Sequence, residues 1–430
     1  MTETLRASCQ SNSHRWFVTI STCLLVGLCL AILLAALLLL RRGNQVRHGQ
    51  VTGSSMEPIL AGPRLQWTCP SCQHAQSFNL DTCKSHQPFR CQRCEKSDMQ
   101  SAMDMEESWA IDNRTLAGEK LMYCPLRMMR SLRTKGIQSG EVHATGLTRG
   151  DIVVFQSPAD SAREVKRLVG LPGEHIAIAD GDLFVDHVRF CKSISQALRQ
   201  AILVQSADDG LPTGPIDNRL PSNAHDSHEV VLVKDFGIAM RLAESESEWS
   251  LEIVLQSAVA QCKAEIWYKN RELRIAAAGD TRQIRIGNTE SVSWVVVAMV
   301  DGDFLIGSPT DEWLRSRAKP DEALEFETDP ISPPLKLASH RTPISIVFRS
   351  GEPVADRTLV FRDIHYRGQS DAATQAWEAG DHVIVLGDNV SISDDSRQRW
   401  HEGLGLTSIK GVAIEPSNPI EGLLRQSERK

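Results

Sequence analysis

Two short cysteine pairs, CPSC at 69–72 and CQRC at 91–94, combine residue type and spacing in a way that implies chemistry. The 18 residues between them match the spacing of a four-cysteine zinc ribbon. Each tight turn sets both of its sulfurs on one side, so the thiolates of Cys69, Cys72, Cys91 and Cys94 can converge tetrahedrally on one structural Zn2+. Two disulfides are the alternative if the segment lies in an oxidising compartment. His74, Cys83 and His86 lie between the pairs at less regular spacing and are read as loop residues. A metal here would fold an insert of roughly 30 residues that has too few apolar side chains to fold unaided.

The surrounding elements are mostly strands. GDIVVF at 150–155, EVKRLVGLPGEHIAI at 164–178 and GDLFVD at 181–186 are short β-branched runs punctuated by Gly or Pro, which predicts antiparallel strands joined by tight turns. Residues from about 192 to 222 read as a short helix followed by a loop. A second set of strand-like runs between about 228 and 365, including WSLEIVLQS, CKAEIWYKN and SVSWVVVAMVDGDFLIG, favours an inserted β-sandwich. HVIVLGDN at 382–389 returns to the style of the first set.

The chain of 430 residues has net charge −7, and its Lys and Arg are scattered instead of gathered in a stripe, so nothing marks a nucleic-acid surface and no nucleic-acid partner is expected. Phe17 to Leu40 contains no charged residue and is long enough as a helix to span a bilayer. It exceeds the usual apolar region of a cleavable signal peptide, and Arg41 and Arg42 follow it in place of a small-residue cleavage site. A retained single-pass anchor is therefore expected. Basic residues flank it on both sides, Arg6, His14 and Arg15 before and Arg41, Arg42 and Arg47 after, so charge gives no firm orientation.

Behind that anchor four blocks occur in order: GSSMEP (Gly53 to Pro58), RGDIVVF (Arg149 to Phe155), VKRLVGLPGE (Val165 to Glu174) and GDNVSISDDSR (Gly387 to Arg397). Together they resemble the type I signal peptidases, membrane-bound Ser-Lys proteases that release exported proteins from their signal peptides. IKGVAI at 409–414 resembles the closing strand of that family's fold. The cysteine-rich segment and the large insert lie outside the resemblance. Taken alone, Lys166 would read as a solvated strand lysine and the last block as a polar loop.

The resemblance implies Ser55 as nucleophile and Lys166 as general base, and the chemistry is compatible. A serine hydroxyl needs a neighbouring base, and a lysine can serve only when its amine is neutral, which burial among apolar side chains favours. The strand places Lys166 and Leu168 on one face and Val165 and Val169 on the other. Ser54 is read as a turn residue or local hydrogen-bond donor. Met56 and Pro58 hold the chain direction, and the resemblance puts Met56 along the substrate cleft. The Ser55 N–H is the natural oxyanion donor, and Gly53 has no side chain to add to it. By the resemblance Ser393 orients the lysine amine and Asp395 and Arg397 form a supporting ion pair. Asp388 and Asn389 shape a turn, and Val390 stands where the family often has Arg.

The expected fold is mainly β: a transmembrane helix, then an antiparallel β catalytic domain with zinc-ribbon and β-sandwich insertions. The expected layout is a tail at 1–16, the anchor at 17–40, core segments at 41–65, 116–191 and 379–416, the ribbon at 66–98, a linker at 99–115, the inserted β-rich domain at 192–378, and a tail at 417–430. Catalysis would need no cofactor. The resemblance implies exported preproteins with signal peptides, membrane lipid and the secretion machinery as partners. It also implies a bacterial cytoplasmic membrane location with the catalytic domain on the periplasmic side. Two rival readings are a membrane-tethered binding protein with a vestigial protease core and a cytoplasmic-side zinc-ribbon adaptor.

Overall fold

A computed structural model describes residues 28, 30, 32, 45–83, 89–91, 93–94, 96–98, 115–129, 133, 145–206, 210–220, 222–223, 230–242, 248–257, 260–269, 272–277, 280–285, 294–317, 342–351 and 355–429. Among them the fold is mainly β. The expected anchor at 17–40 lies outside the described residues except for Leu28, Leu30 and Ile32, which are helical and exposed. Among the described residues no helix is long and apolar enough to cross a membrane.

A seven-stranded sheet is assembled from distant parts of the chain. Its order is Arg47–Gln50, Lys120–Pro125, Ile409–Ala413, Ile152–Gln156, Arg163–Gly170, His382–Leu386 and Leu404–Gly405. Register within it is antiparallel, with Val153 opposite Lys166 and Leu386 opposite Arg167. One face packs Val153, Phe155, Leu168, Val383, Val385 and Trp400; the other packs Ile152, Val154, Leu121 and Tyr123. A four-stranded sheet lies beside it, with His175–Ala179 paired to both Asp182–Val185 and Thr374–Glu378. Thr374–Glu378, at the end of the expected 192–378 insert, thus pairs with a strand of the first set.

A six-stranded and a five-stranded sheet share one core to which alternate residues of their strands contribute. Trp249, Leu251, Ile253 and Leu255 of Trp249–Gln256 point into it, while Glu252 on the opposite face pairs with Lys263 and Arg349. Each fully buried aliphatic side chain of that core contributes about 1.5–3 kcal/mol. Trp294–Val300 is buried along its whole length. Val295, Val297 and Met299 enter the inter-sheet core, and Trp294, Val296, Ala298 and Val300 pack on the other side against Ile194, Leu198, Ile420 and Leu423. Two covered faces account for an apolar run without alternation.

The helices covering that outer face are Ile194–Gln200 and Glu421–Glu428. The first carries a capping box between Ser193 and Gln196 and leads into the strand Ile202–Ser206, where a loop was expected. The second occupies the expected C-terminal tail. Its Gln426 holds both the N–H of Leu203 and the carbonyl of Ala201. The cysteine-rich segment forms a three-stranded sheet, Ala75–Asn79, Arg64–Thr68 and Thr115–Leu116, beside the small pair Phe89–Arg90 and Ser97–Asp98. Thr115 is the described end of the expected linker; 99–114 lie outside the described residues.

Candidate active site

Lys166 stands in the middle of Arg163–Gly170, just where that strand passes from half-exposed to fully buried. Its side chain is 3% exposed and its Nζ donates to Ser393 Oγ at 3.0 Å. Burial is the largest influence on the amine and lowers its pKa. Asp395 and Glu164 act the other way, but the net shift remains downward.

The Gly387–Arg397 segment is ordered by charge. Asp395 accepts from the Gly387 N–H at 2.8 Å and from Arg397 Nε at 2.8 Å and Nη2 at 2.7 Å. Burial pushes the Asp395 carboxyl upward, but the Arg397 charge and hydrogen bonds outweigh it and hold the pKa below the usual range. Arg397 also donates to the Val390 carbonyl at 2.9 Å, so this position contributes through its backbone. Asp388 is taken by Arg167, whose Nε and Nη2 reach its two oxygens at 2.7 and 2.6 Å, both partners being buried. Burial raises the Asp388 pKa even against that guanidinium.

Ser55 lies half-buried in a turn that docks on the same segment. Asn389 donates its N–H to the Ser55 carbonyl at 3.0 Å and its Nδ2 to the Ser54 carbonyl at 3.1 Å. Gly387 lies so close that a Cβ there would stand 2.0 Å from Ser393 Oγ and 2.6 Å from the Ser55 carbonyl oxygen. Lys166 holds the Ser393 hydroxyl and Asn389 holds the Ser55 carbonyl, while among the described residues no hydrogen bond joins Ser55 to Lys166. Met56 is 1% exposed and packs with Leu121, Tyr123, Ile152 and Val154. Pro58 is half-buried, and its carbonyl accepts from Arg429 Nη1 at 2.6 Å. Glu57 is buried against Gly62 N–H, and burial lifts its pKa to about 7 despite Arg64 and Arg429.

Sequence reasoning missed several of these partners. Arg167 could have been singled out from the Lys-Arg dipeptide beside Lys166. Arg429 carries no motif.

The four cysteines cluster, with all four sulfurs within 4.8 Å of one another. Cys69 to Cys94 is 3.7 Å and Cys72 to Cys91 is 3.5 Å. Those separations are far longer than the ~2.05 Å of a disulfide. They approach the ~3.8 Å edge of a tetrahedron with ~2.3 Å metal–sulfur bonds, so the donor set suits zinc. Trp67, Phe78 and Phe89 pack behind it. Cys83 donates to the Asn79 carbonyl and His74 accepts from Cys69 N–H through its own carbonyl; His86 lies outside the described residues.

A buried amine held by a serine hydroxyl, with a serine-bearing turn docked on the same segment of an antiparallel β scaffold, is a layout suited to hydrolysis. Comparison with known proteins agrees with this. Residues 98–224 match the family described as signal peptidase, peptidase S26. Signal peptidase I of Rickettsia typhi (strain ATCC VR-144 / Wilmington) and of Rickettsia prowazekii (strain Madrid E) are each 48% identical over 48 residues. Signal peptidase I of Rickettsia canadensis (strain McKiel) is 46% identical over 48 residues. Each match covers 11% of this chain and 18% of the relative, so the chain matches less than a fifth of those proteins' length. The chain is related to the type I signal peptidases through part of its length. The family match contains Lys166 and Arg167, while Ser55 and the Gly387–Arg397 segment fall outside it.

Proposed function

We propose that this protein is a membrane-anchored serine endopeptidase of the signal peptidase I type, cutting signal peptides from exported preproteins with Ser55 and Lys166. The observation that carries the reading is the buried Lys166 amine, its pKa lowered by desolvation, held at 3.0 Å by Ser393.

In this mechanism the neutral Lys166 amine takes the proton of Ser55 Oγ as that oxygen attacks the scissile carbonyl. The Ser55 N–H faces the developing oxyanion; Gly53 adds no side-chain donor. The protonated amine then gives its proton to the leaving nitrogen, and an acyl-serine remains. Lys166, neutral again, takes a proton from the water that attacks the ester, and returns it to Ser55 Oγ as the acyl–oxygen bond breaks and the carboxylic product leaves. Ser393 keeps the amine aimed throughout, and the Asp395–Arg397 pair fixes the backbone that carries Ser393.

The substrates are preproteins with small residues at the first and third positions before the cut. The protein works at a bacterial cytoplasmic membrane, in contact with lipid and the secretion machinery. The anchor at 17–40 holds the catalytic domain on the outer side, with Ser55 about fifteen residues beyond it, a short tether. Cys69, Cys72, Cys91 and Cys94 would hold one structural zinc ion, which supplies cross-linking to the insert and no step of the reaction. A preprotein cleavage assay tests the reading: Ser55→Ala and Lys166→Ala should each abolish processing while retaining the wild-type circular dichroism spectrum. Processing at near wild-type rate by either variant would overturn it.

A further inference from the structure

The turn that carries Ser55 is held from two sides, and only one of them is the lysine-bearing sheet. The other is the cysteine-rich insert. Its strand Ala75–Asn79 runs into a short 3-10 turn, Leu80–Thr82, whose Asp81 points at Ser54. Asp81 Oδ2 accepts both the Ser54 N–H at 2.8 Å and the Ser54 Oγ–H at 2.6 Å. Ser54 is 1% exposed, so both donors depend on a protein partner, and a charged acceptor makes such bonds short and strong.

A second link runs beside it through three asparagines drawn from three distant stretches. Asn79 Nδ2 donates to Asn223 Oδ1 at 2.9 Å, and Asn389 Nδ2 donates to the same oxygen at 3.0 Å. Asn223 Nδ2 returns a bond to Asn389 Oδ1 at 3.0 Å. Asn389 is the residue that grips the Ser54 and Ser55 carbonyls. The backbone of Asn79 is itself pinned, its N–H donating to the Ser222 carbonyl at 2.7 Å. The Ser54–Ser55 peptide is thus clasped by Asn389 at its carbonyls and by Asp81 at the preceding N–H and hydroxyl.

We infer that the cysteine-rich insert completes the active site: Asp81, with Asn79 behind it, is a positioning residue that fixes Ser54 and thereby aims Ser55 at the scissile carbonyl. The inference rests on Ser55 being the nucleophile. Asp81 does not touch substrate, so its loss alters the aim of Ser55 and leaves the substrate contacts and the lysine in place.

The test is steady-state cleavage of a preprotein by the full chain and its variants. Asp81→Ala should lower kcat about a hundredfold with KM within about twofold, the size of effect expected from a displaced reacting group. Asp81→Asn, which keeps an oxygen acceptor but loses the charge, should recover about tenfold of that loss. The ionisation governing the pH–rate profile should stay where it is in the wild type, because Lys166 is untouched, and the melting temperature should fall modestly, because the buried Ser54 donors lose their acceptor while the protein stays folded. Asp81→Ala with kcat within about threefold of wild type would overturn the inference, as would a loss confined to KM or an Asp81→Asn variant no better than Asp81→Ala. An inactive wild-type protein, or an active Ser55→Ala, would instead bring down the underlying protease reading.

Discussion

Gly387→Ala is the smallest change that should separate Ser55 from Ser393 and Lys166. Gly387 does not adopt a positive φ, so the effect of a methyl group there is steric alone. That methyl would stand 2.0 Å from Ser393 Oγ, 2.5 Å from Ser393 Cβ and 2.6 Å from the Ser55 carbonyl oxygen. Reaching ordinary van der Waals separation requires these neighbours to retreat by roughly 1–1.5 Å. Ser393 cannot turn away without releasing Lys166 Nζ, and the Ser55 carbonyl cannot move without loosening the Asn389 N–H that holds it. Overpacking of this kind costs about 1–3 kcal/mol of stability, which leaves a protein of this size folded with a modestly lowered melting temperature. Displacing the reacting groups by that distance should lower kcat about a hundredfold. The assay is cleavage of a purified preprotein followed by gel densitometry, with thermal melting on the same samples. Gly214→Ala, where a Cβ would meet nothing within 4 Å, is the control and should match the wild type. A Gly387→Ala variant that melts normally and keeps kcat within about threefold of wild type would refute the claim that this contact sets the geometry of the site.

Two further outcomes are expected. Because burial lowers the Lys166 pKa, the cleavage rate should rise with pH as the amine deprotonates, through one ionisation below the ~10.4 of a free lysine, and a Lys166→Ala variant should lack that limb; a limb that persists without Lys166 would assign the base elsewhere. Purified protein should contain about one zinc per chain by metal analysis, reduced to a trace in a Cys69→Ser, Cys72→Ser double variant, and a metal-free wild type with all four thiols blocked as disulfides would favour oxidation instead.

The strands were legible where β-branched runs met Gly or Pro, as in Ile152–Gln156 and Trp249–Gln256. Lys166 and Ser393 could be read only from motif order, because the residues that meet are 227 positions apart. The Asp395–Arg397 pair is local and its charges sit side by side in the sequence. Asp81 was invisible for a physical reason: a lone aspartate in a polar segment looks solvated, and only the fold reveals that its carboxylate faces two donors 27 positions earlier. The Glu421–Glu428 helix also escaped notice. It is short, its Ile420 N-cap supplies no side-chain hydrogen bond, and it is held by packing of Ile420 and Leu423 on the six-stranded sheet.

The strand Ile409–Ala413 lies between Lys120–Pro125 and Ile152–Gln156, and this interleaving sets a timetable. At about 5–20 residues per second, a ribosome finishes Lys166 roughly ten to fifty seconds before it reaches the strand that closes the same sheet. For most of that interval Ser393, the hydrogen-bond partner of the Lys166 amine, has not been made, and the place between Lys120–Pro125 and Ile152–Gln156 stands open. The nascent chain is therefore incomplete by its connectivity: Ser55 and Lys166 are synthesised early, and the sheet that carries Lys166 closes only when the late strand is added.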